Sequence, residues 1–200
     1  MLFKELRRLG ASTAVEGVQS IELMEHIILF PTEAEAAPFR RLAPEAEVLI
    51  SGVGMAATAA TVAHLAQRDD VRERGCCVVL AGVAGSYTDS IAVGDVVEVA
   101  SECCVELPER FRQTYNATCR ISTLRSVRSA TVHGAGCAPS DAEVENMEGA
   151  ALYAVASAMN ICATELRAIS NRVGEEFEKW HFEEATEALV SALISCITGN

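Results

Sequence analysis

DAEVENMEGAALYAVASAMNICATELRAISNRVG, residues 141–174, combines three features within a short distance. A turn rich in carboxylates leads into a helix of small apolar residues, and an apolar strand follows at 162–169. The strand ends in the polar tripeptide Ser170-Asn171-Arg172. In open α/β sheets, ligands bind beyond the carboxyl ends of the strands. The tripeptide is therefore a candidate binding site on its position alone, in a protein of the α/β class.

A buried helix is predicted in the middle of this segment. Apolar residues recur there at helical spacing, i, i+3, i+4, i+7, i+8 and i+11. They are Met147, Ala150, Ala151, Ala154, Val155 and Ala158. Leu152, Tyr153 and Ala156 lie off that stripe, so the helix is apolar nearly all round. Glu148 stands at its start, where the helix dipole favours a negative charge, and this role alone would explain the residue.

The length and composition predict one domain. The chain has 200 residues, half of them hydrophobic, which is enough for a sizeable core. We assign the domain to 24–200 and interpret 1–23 as an N-terminal extension, with Met24 a candidate natural start. The alternative for 1–23 is an added helix at a subunit contact.

No apolar run reaches the roughly 18 residues of a membrane span. The net charge of −12 argues against nucleic acid and anionic membranes as partners.

The eight cysteines predict reduced side chains in a cytoplasmic protein. There is no C-x-x-C, and no Cys/His spacing matches a zinc site. Most of the cysteines fall in apolar runs, where a free cysteine behaves as a small hydrophobe. We therefore assign no metal to the cysteines or to the four histidines.

Two predicted loops follow apolar strands. One of them contains glycines, and the other contains a possible start of a helix. Ser51-Gly52-Val53-Gly54 precedes a helix predicted to reach about 67, and such glycines suit an anion or a sugar near backbone N–H groups. The alternative is a tight turn, and position 57 is Ala, so the dinucleotide fingerprint is incomplete. Thr32, with Glu35 three residues later, fits a capping box that opens a helix through Arg41.

Three motifs together resemble the purine nucleoside phosphorylase and nucleosidase superfamily. They are V-E-N-M-E-G-A-A at 144–151, L-R-A-I-S-N at 166–171 and V-G-D-V-V at 93–97. Within it, the likeness is closest to the futalosine hydrolases of the alternative menaquinone pathway. The resemblance implies a single three-layer α/β/α domain with a twisted, partly barrel-like mixed central sheet. It also implies a homodimer or higher homo-oligomer that binds a small nucleoside and uses no cofactor.

The resemblance implies roles for four residues in hydrolysis of an N-glycosidic bond. Glu35 is expected to activate water, with Glu33 as second choice. Glu148 would accept a hydrogen bond from a ribose hydroxyl and favour the ribosyl cation. Met147 would pack against the sugar, unless it is a core residue of the helix stripe. Gly52 would lie near the ribose.

The predicted loop 81–86 bears on the choice between phosphate and water as the nucleophile. The superfamily's phosphorylases hold phosphate with an Arg and a Ser, and here Leu80 and Val83 align with them. An uncompensated phosphate against apolar residues would cost several kcal/mol. The resemblance therefore favours water, and it assigns Val83, Ala84 and Gly85 to substrate binding.

Asn171 replaces the Asp of the adenine-directed nucleosidases. An amide cannot act as a general acid, but it offers a donor and an acceptor, which suits a 6-oxopurine. The alternative is a turn cap before Gly174. Trp180 follows at a distance similar to that in futalosine hydrolases and is assigned to the substrate pocket or to plain packing.

The 5′ end of the substrate is the least defined part of the prediction. A futalosine carboxylate would need a cation, for which four arginines are candidates: Arg40, Arg110, Arg112 and Arg172. Residues 101–130, which cover the base and the 5′ end in relatives, are polar and short here, with Phe111 or Tyr115 as stacking candidates. We expect hypoxanthine release from futalosine. The alternatives are phosphorolysis or hydrolysis of another nucleoside, a degenerate nucleoside-binding relative, and an ordinary dinucleotide-binding domain.

Overall fold

The computed structural model describes residues 24–73, 75–121, 123–136 and 141–198. Eight strands form one sheet: β1 (His26–Phe30), β2 (Glu47–Ile50), β3 (Cys77–Ser86), β4 (Val96–Cys104), β5 (Thr114–Asn116), β6 (Arg125–Thr131), β7 (Val144–Asn146) and β8 (Ala163–Arg172). Five helices accompany them: α1 (Glu33–Leu42), α2 (Met55–Leu65), α3 (Asp69–Arg72), α4 (Gly149–Met159) and α5 (Phe182–Thr198).

Five of the strands close into a barrel. β3 pairs with β7, β7 with β6, β6 with β4, β4 with β8, and β8 returns to β3. The β3–β8, β4–β6 and β6–β7 pairs are parallel, and the other two are antiparallel, so the sheet is mixed. β1 and β2 extend it in parallel beyond β3, and β5 adds an antiparallel edge to β4.

Helices cover both faces of this sheet. On one face, Val62 and Leu65 of α2 pack with Leu152 and Tyr153 of α4 in one apolar cluster. On the other face, a second cluster joins Phe39 of α1 to α5. The predicted three-layer fold with a partly barrel-like mixed sheet is therefore confirmed.

The structure corrects several predicted boundaries. The expected turn before α4 contains strand β7, and Met147 lies ahead of the helix and is half-buried. The expected loop 81–86 is the second half of β3, and the expected tripeptide 170–172 is the end of β8. Backbone pairing of β3 with β7 and β8 explains both corrections, because it holds polar and small residues in strands that side-chain pattern alone would end.

The stretch 101–130 is more ordered than its pattern suggests. It contains the end of β4, the short strand β5 and most of β6. The segment 1–23 lies outside the described residues, so its interpretation as an extension stays a prediction. None of the described helices is long and apolar enough to cross a membrane.

Candidate active site

A buried arginine on β8 binds Glu148, one of the candidate catalytic carboxylates, and Glu165. Arg167 is 1% exposed. Its Nε donates to Glu165 Oε1 at 2.6 Å, and its Nη2 donates to Glu148 Oε2 at 3.2 Å and to Asn146 Oδ1 at 3.1 Å. Burial alone lowers the pKa of a guanidinium, but the charges of Glu165 and Glu148 raise the pKa of Arg167 overall. Arg167 therefore stays protonated and holds the carboxylates in place.

Glu35 points from the first turn of α1 towards β3. The Thr32 side chain caps the helix by accepting from Glu35 N at 3.3 Å, and the Thr32 hydroxyl donates to Glu35 Oε2 at 2.6 Å. Glu35 Oε1 accepts from Val83 N at 3.1 Å. Burial is the main reason that the pKa of Glu35 is raised above 4.5. Thr32 supplies the cap, so Glu35 keeps its carboxylate for another role.

Glu148 takes the place of a cap for α2. Its Oε1 accepts from Gly54 N at 2.9 Å, at the N-terminus of α2, where Gly54 itself offers no side chain. A carboxylate is favoured there by the helix dipole. The carboxylate is 94 residues away in the sequence, and the Asn146 side chain orients it by accepting from Glu148 N at 2.8 Å. The Gly54 N–H that sequence reasoning offered to a ligand is thus bound by Glu148.

Two further carboxyl groups lie buried beneath Arg167. Glu102 accepts from Thr131 Oγ1 at 2.7 Å and from Asn146 Nδ2. Glu165 Oε2 has no hydrogen-bond donor among the described residues. It faces the carboxyl group of Glu102 across Gly149. A proton held by Glu102 can satisfy that oxygen. Burial and the charge of Glu165 raise the pKa of Glu102, and burial raises the pKa of Glu165.

This carboxyl pair predicts a pH dependence of stability. Because the folded pKa is raised, the folded state keeps a proton that the unfolded chain releases above pH 4.5. The free energy of unfolding should therefore fall as the pH rises above that value, by up to about 1.4 kcal/mol per pH unit for each such proton. In the Glu102→Gln variant, the free energy of unfolding should fall less steeply with pH. Denaturant titrations between about pH 5 and about pH 8 measure this fall. An equally steep fall in this variant would contradict a proton shared by the pair.

Gly82 leaves room for the Glu35–Arg167 approach. A Cβ atom at Gly82 would collide with Arg167 Nη1 and lie 3.0 Å from Glu35 Oε1 and 3.3 Å from Pro31 Cδ. We expect Gly82→Ala to lower the free energy of unfolding by about 1–3 kcal/mol, through overpacking, and to reduce turnover. Gly134→Ala is the control, because a Cβ there meets nothing within 4 Å. Equal stability of both variants in denaturant titrations would refute the close approach.

Asn171 lies at an irregularity in the β3–β8 pairing. Ile169 pairs with Ala84 and Asn171 with Gly85, so Ser170 is an extra residue. Asn171 Oδ1 accepts from the Ser170 hydroxyl at 2.8 Å, and Nδ2 donates to Arg172 O at 2.9 Å. A bulge of this kind re-aims the side chain after it and is common beside active sites. The amide keeps a second hydrogen for a ligand.

The strand residues predicted to bind substrate lie around these groups. Val83 donates its N–H to Glu35, and its carbonyl accepts from Arg167 Nη1 at 3.3 Å. Ala84 and Gly85 follow in β3, and a Cβ at Gly85 would lie 3.2 Å from Asn171 Nδ2. Gly52, with φ of 81°, lies in the turn that leads to Gly54. Val83, Ala84, Gly85 and Asn171 thus lie in the carboxyl-terminal halves of β3 and β8, and Gly52 lies in the turn after β2.

Two predicted residues are not brought to the carboxylates by any described hydrogen bond. Glu33 is on the surface, paired with Arg40 at 2.9 Å. Trp180 is half-buried, donates to Glu175 O at 3.3 Å and packs against Phe177, with ring centroids 5.1 Å apart. Met147, next to Glu148, is half-buried and not a core residue of α4.

The sequence interpretation gave no role to Arg167, Glu165, Glu102, Asn146 or Gly82. A signal for two of them was present, since Glu165 and Arg167 stand in an otherwise apolar strand. Charged residues are almost never fully buried unless they are paired. Two opposite charges on such a strand therefore predict an internal ion pair.

Comparisons with known proteins bear on the family and on the fold. A family model described as the phosphorylase superfamily matches residues 110–198. No curated protein matches the sequence. The family model thus confirms, over that part of the chain, the resemblance to the superfamily seen in the sequence.

Solved structures share the fold at low identity. The 5′-methylthioadenosine/S-adenosylhomocysteine nucleosidase of Helicobacter pylori, with butyl-thio-DADMe-Immucillin-A, is 16% identical with a TM-score of 0.71, covering 88% of this chain and 98% of that one. Native futalosine hydrolase of Helicobacter pylori is 15% identical with a TM-score of 0.71, covering 86% and 97%. The MTA/SAH nucleosidase of Streptococcus pneumoniae, with 8-aminoadenine, is 18% identical with a TM-score of 0.67, covering 88% and 100%.

Proposed function

We propose that this protein is an N-ribosyl hydrolase that releases hypoxanthine from futalosine. The observation that carries the proposal is a buried series of hydrogen bonds. Arg167 donates to Glu148 and to the carbonyl of Val83, and the N–H of Val83 donates to Glu35. In this arrangement the raised pKa of Glu35 suits a general base, and Glu148 supplies a fixed negative charge. Those are the two groups that cleavage of an N-glycosidic bond by water requires.

Glu35 is the proposed general base. Cleavage passes through a transition state with oxocarbenium character, and water must then lose a proton as it attacks the anomeric carbon. A base works best when its pKa is near the working pH, and burial moves the pKa of Glu35 in that direction. The bonds from Thr32 and Val83 leave the remaining lone pairs of the carboxylate for water.

Glu148 is the proposed partner of the ribose. Its charge favours a nearby cation, and its oxygens accept hydrogen bonds from ribose hydroxyls. Gly54 N and Arg167 Nη2 hold one oxygen each, so the carboxylate is oriented before a substrate arrives. Met147, adjacent in the chain and half-buried, supplies an adaptable apolar surface for the sugar.

The charges around Val83 favour water over phosphate. Phosphate is a dianion, and here it would approach the carboxylates of Glu35 and Glu148. The nearby guanidinium is already engaged by Glu165 and Glu148. Because the Val83 N–H donates to Glu35, it is not offered to an anion.

Asn171 supports a 6-oxopurine as the leaving base. Its amide can donate to O6 or N7 and accept from N1–H, whereas adenine would gain more from an acid that protonates N7. Futalosine hydrolase of Helicobacter pylori is among the structures that share the fold. Because a 5′-methylthioadenosine/S-adenosylhomocysteine nucleosidase shares the fold equally well, the choice of futalosine over adenine nucleosides rests on Asn171.

Of the four candidate arginines, Arg110 and Arg112 are the favoured partners for the futalosine carboxylate. Arg40 binds Glu33 and the carbonyl of Val48, and Arg172 binds three groups of the segment 86–91. Arg110 lies over the exposed ring of Phe111 at 4.6 Å, and Arg112 donates to Leu107 O. We therefore assign the 5′ end of the substrate to the 107–112 segment.

The deciding experiment measures free hypoxanthine by chromatography. Futalosine and inosine are each incubated with the protein, with and without phosphate. We expect rapid release from futalosine that does not depend on phosphate. Release only with phosphate would indicate a phosphorylase, and release only from inosine would indicate general purine salvage. Binding without release would indicate a non-catalytic relative.

Cytoplasmic location and self-association belong to the same proposal. The face of α4 near β5 borders a cleft of about 510 Å³ lined by the segment 113–118 and by Ala154, Ser157 and Ala158. Small residues of this kind allow close approach of a second chain. Light scattering of the purified protein should show a dimer or a larger homo-oligomer, and a monomer would contradict this part.

A further inference from the structure

Three cysteines meet at the end of the barrel opposite the candidate active site. The Sγ atoms of Cys77, Cys119 and Cys162 all lie within 4.8 Å of one another, with Cys77 and Cys119 at 2.9 Å. Cys77 begins β3, whereas Val83 is six residues further along, about 20 Å away at strand rise. The cysteine cluster thus lies at the opposite end of β3 from Val83.

The backbone fixes all three positions. In the register of the parallel strands, Cys77 pairs with His26, and Val78 donates to the carbonyl of Cys162 at 2.9 Å. The segment with Cys119 is bound to the start of β8, because Thr118 Oγ1 accepts from Ala163 N at 2.7 Å and Cys119 N donates to Ala163 O at 3.3 Å. Strand pairing and these bonds therefore bring together cysteines whose spacing in the sequence is unlike that of a metal motif.

A fourth sulfur stands beside the cluster. Met24 Sδ lies 3.8 Å from Cys162 Sγ. Cys77 and Cys119 are fully buried, whereas Cys162 is half-buried. The cluster thus has an apolar interior and a path from solvent on one side.

We propose that Cys77, Cys119 and Cys162 bind one soft d10 metal ion, Cu⁺ or Zn²⁺, through three thiolates, with the Met24 thioether as an additional donor. A metal–sulfur bond of about 2.3 Å requires sulfur atoms about 3.8–4.0 Å apart. The Sγ atoms of Cys77 and Cys119, now 2.9 Å apart, must move apart by about 1 Å to meet this condition. Thiolate and thioether ligands select Cu⁺ and Zn²⁺ over Mg²⁺ or Ca²⁺, which prefer oxygen.

Thiol groups must lose their protons to bind a metal ion. Metal uptake should therefore release protons and weaken as the pH falls.

The test uses the full chain, reduced under nitrogen and incubated with Zn²⁺ or, in a second sample, with Cu⁺. After gel filtration, metal content is measured by mass spectrometry and the ligand shell by X-ray absorption. We expect one ion per chain and a shell of three or four sulfurs at about 2.3 Å. Competition between the two ions then identifies the preferred one.

Variants locate the ion. Cys119→Ser and Cys162→Ala should each reduce retention at least tenfold, whereas Cys104→Ser, in β4 and outside the cluster, should retain the ion. Equal retention by Cys119→Ser, a shell of nitrogen and oxygen, or no retention in either sample overturns the proposal. A Cys77–Cys119 disulfide that forms in air, in protein that takes up no ion after reduction, assigns the cluster to redox chemistry instead. If a variant fails to fold, the absorption spectrum of the unchanged protein decides.

Discussion

Glu35→Gln should abolish most of the hydrolase activity and leave the fold intact. The amide keeps the acceptor for Val83 N–H and can donate to Thr32 Oγ1, so both contacts of the side chain are retained. It cannot take a proton from water, and the loss of a general base costs about 10²- to 10⁴-fold in rate. Hypoxanthine release from futalosine measures kcat, and calorimetry with futalosine measures retained binding.

The control for this variant is Glu33→Gln on the same helix. Glu33 is exposed and paired with Arg40, two residues from Glu35 but outside the buried cluster. Its kcat should equal that of the unchanged protein. In the unchanged protein and in this control, kcat/KM should rise with pH through a pKa above 4.5, because burial raises the pKa of Glu35. Equal loss in both variants, or full activity in Glu35→Gln, would remove Glu35 from the mechanism.

Arg167→Met should have the largest effect on stability. The change leaves the carboxylates of Glu165 and Glu148 buried without their cation. Removal of one partner from a buried ion pair costs about 3–5 kcal/mol, a large part of the roughly 5–15 kcal/mol that stabilises a domain. Urea titration should show this loss, and turnover should fall because Glu148 loses the group that orients it.

Two comparisons separate the effect of the lost charge on stability from the effect of the lost packing. Arg128→Met removes an exposed arginine, 3.6 Å from Asp141, and should cost at most about 1 kcal/mol. Adding Glu165→Gln and Glu148→Gln to Arg167→Met should restore much of the stability, because no unpaired charge is left, but not the turnover. If Arg167→Met alone is as stable as the unchanged protein, the ion network does not form in solution.

The sequence predicted the layers of the fold because local patterns encode them. Apolar runs at 27–30 and 162–169 and helical spacing after Glu148 are properties of neighbouring residues. The sequence predicts a loop for the second half of β3, because small residues at 81–86 have no side-chain pattern. What makes them a strand is pairing with β7 and β8, and such pairing depends on residues far away in the sequence.

The candidate site was predicted only where a motif carried it. Glu35, Glu148 and Asn171 came from resemblance, whereas Arg167 lay within a quoted motif without a role. Its function depends on Val83 of β3, Asn146 of β7 and Glu148 at the start of α4, and no local spacing reveals such a network. The sequence does not predict the extra residue Ser170 either. An unbroken register between β3 and β8 would pair Asn171 with Ser86.

Closure of the barrel has a consequence for how the protein folds. Arg167 and Val83 are 84 residues apart, and Gly54 and Glu148 are 94 apart, so the proposed catalytic groups are held by contacts between distant parts of the chain. Contacts between distant residues form slowly, because a long loop must close first. Helix formation, followed by circular dichroism, should thus precede the return of enzymatic activity during refolding. A nascent chain that has not yet released β8 from the ribosome lacks the Arg167 contact that orients Glu148, whatever structure its first half has gained.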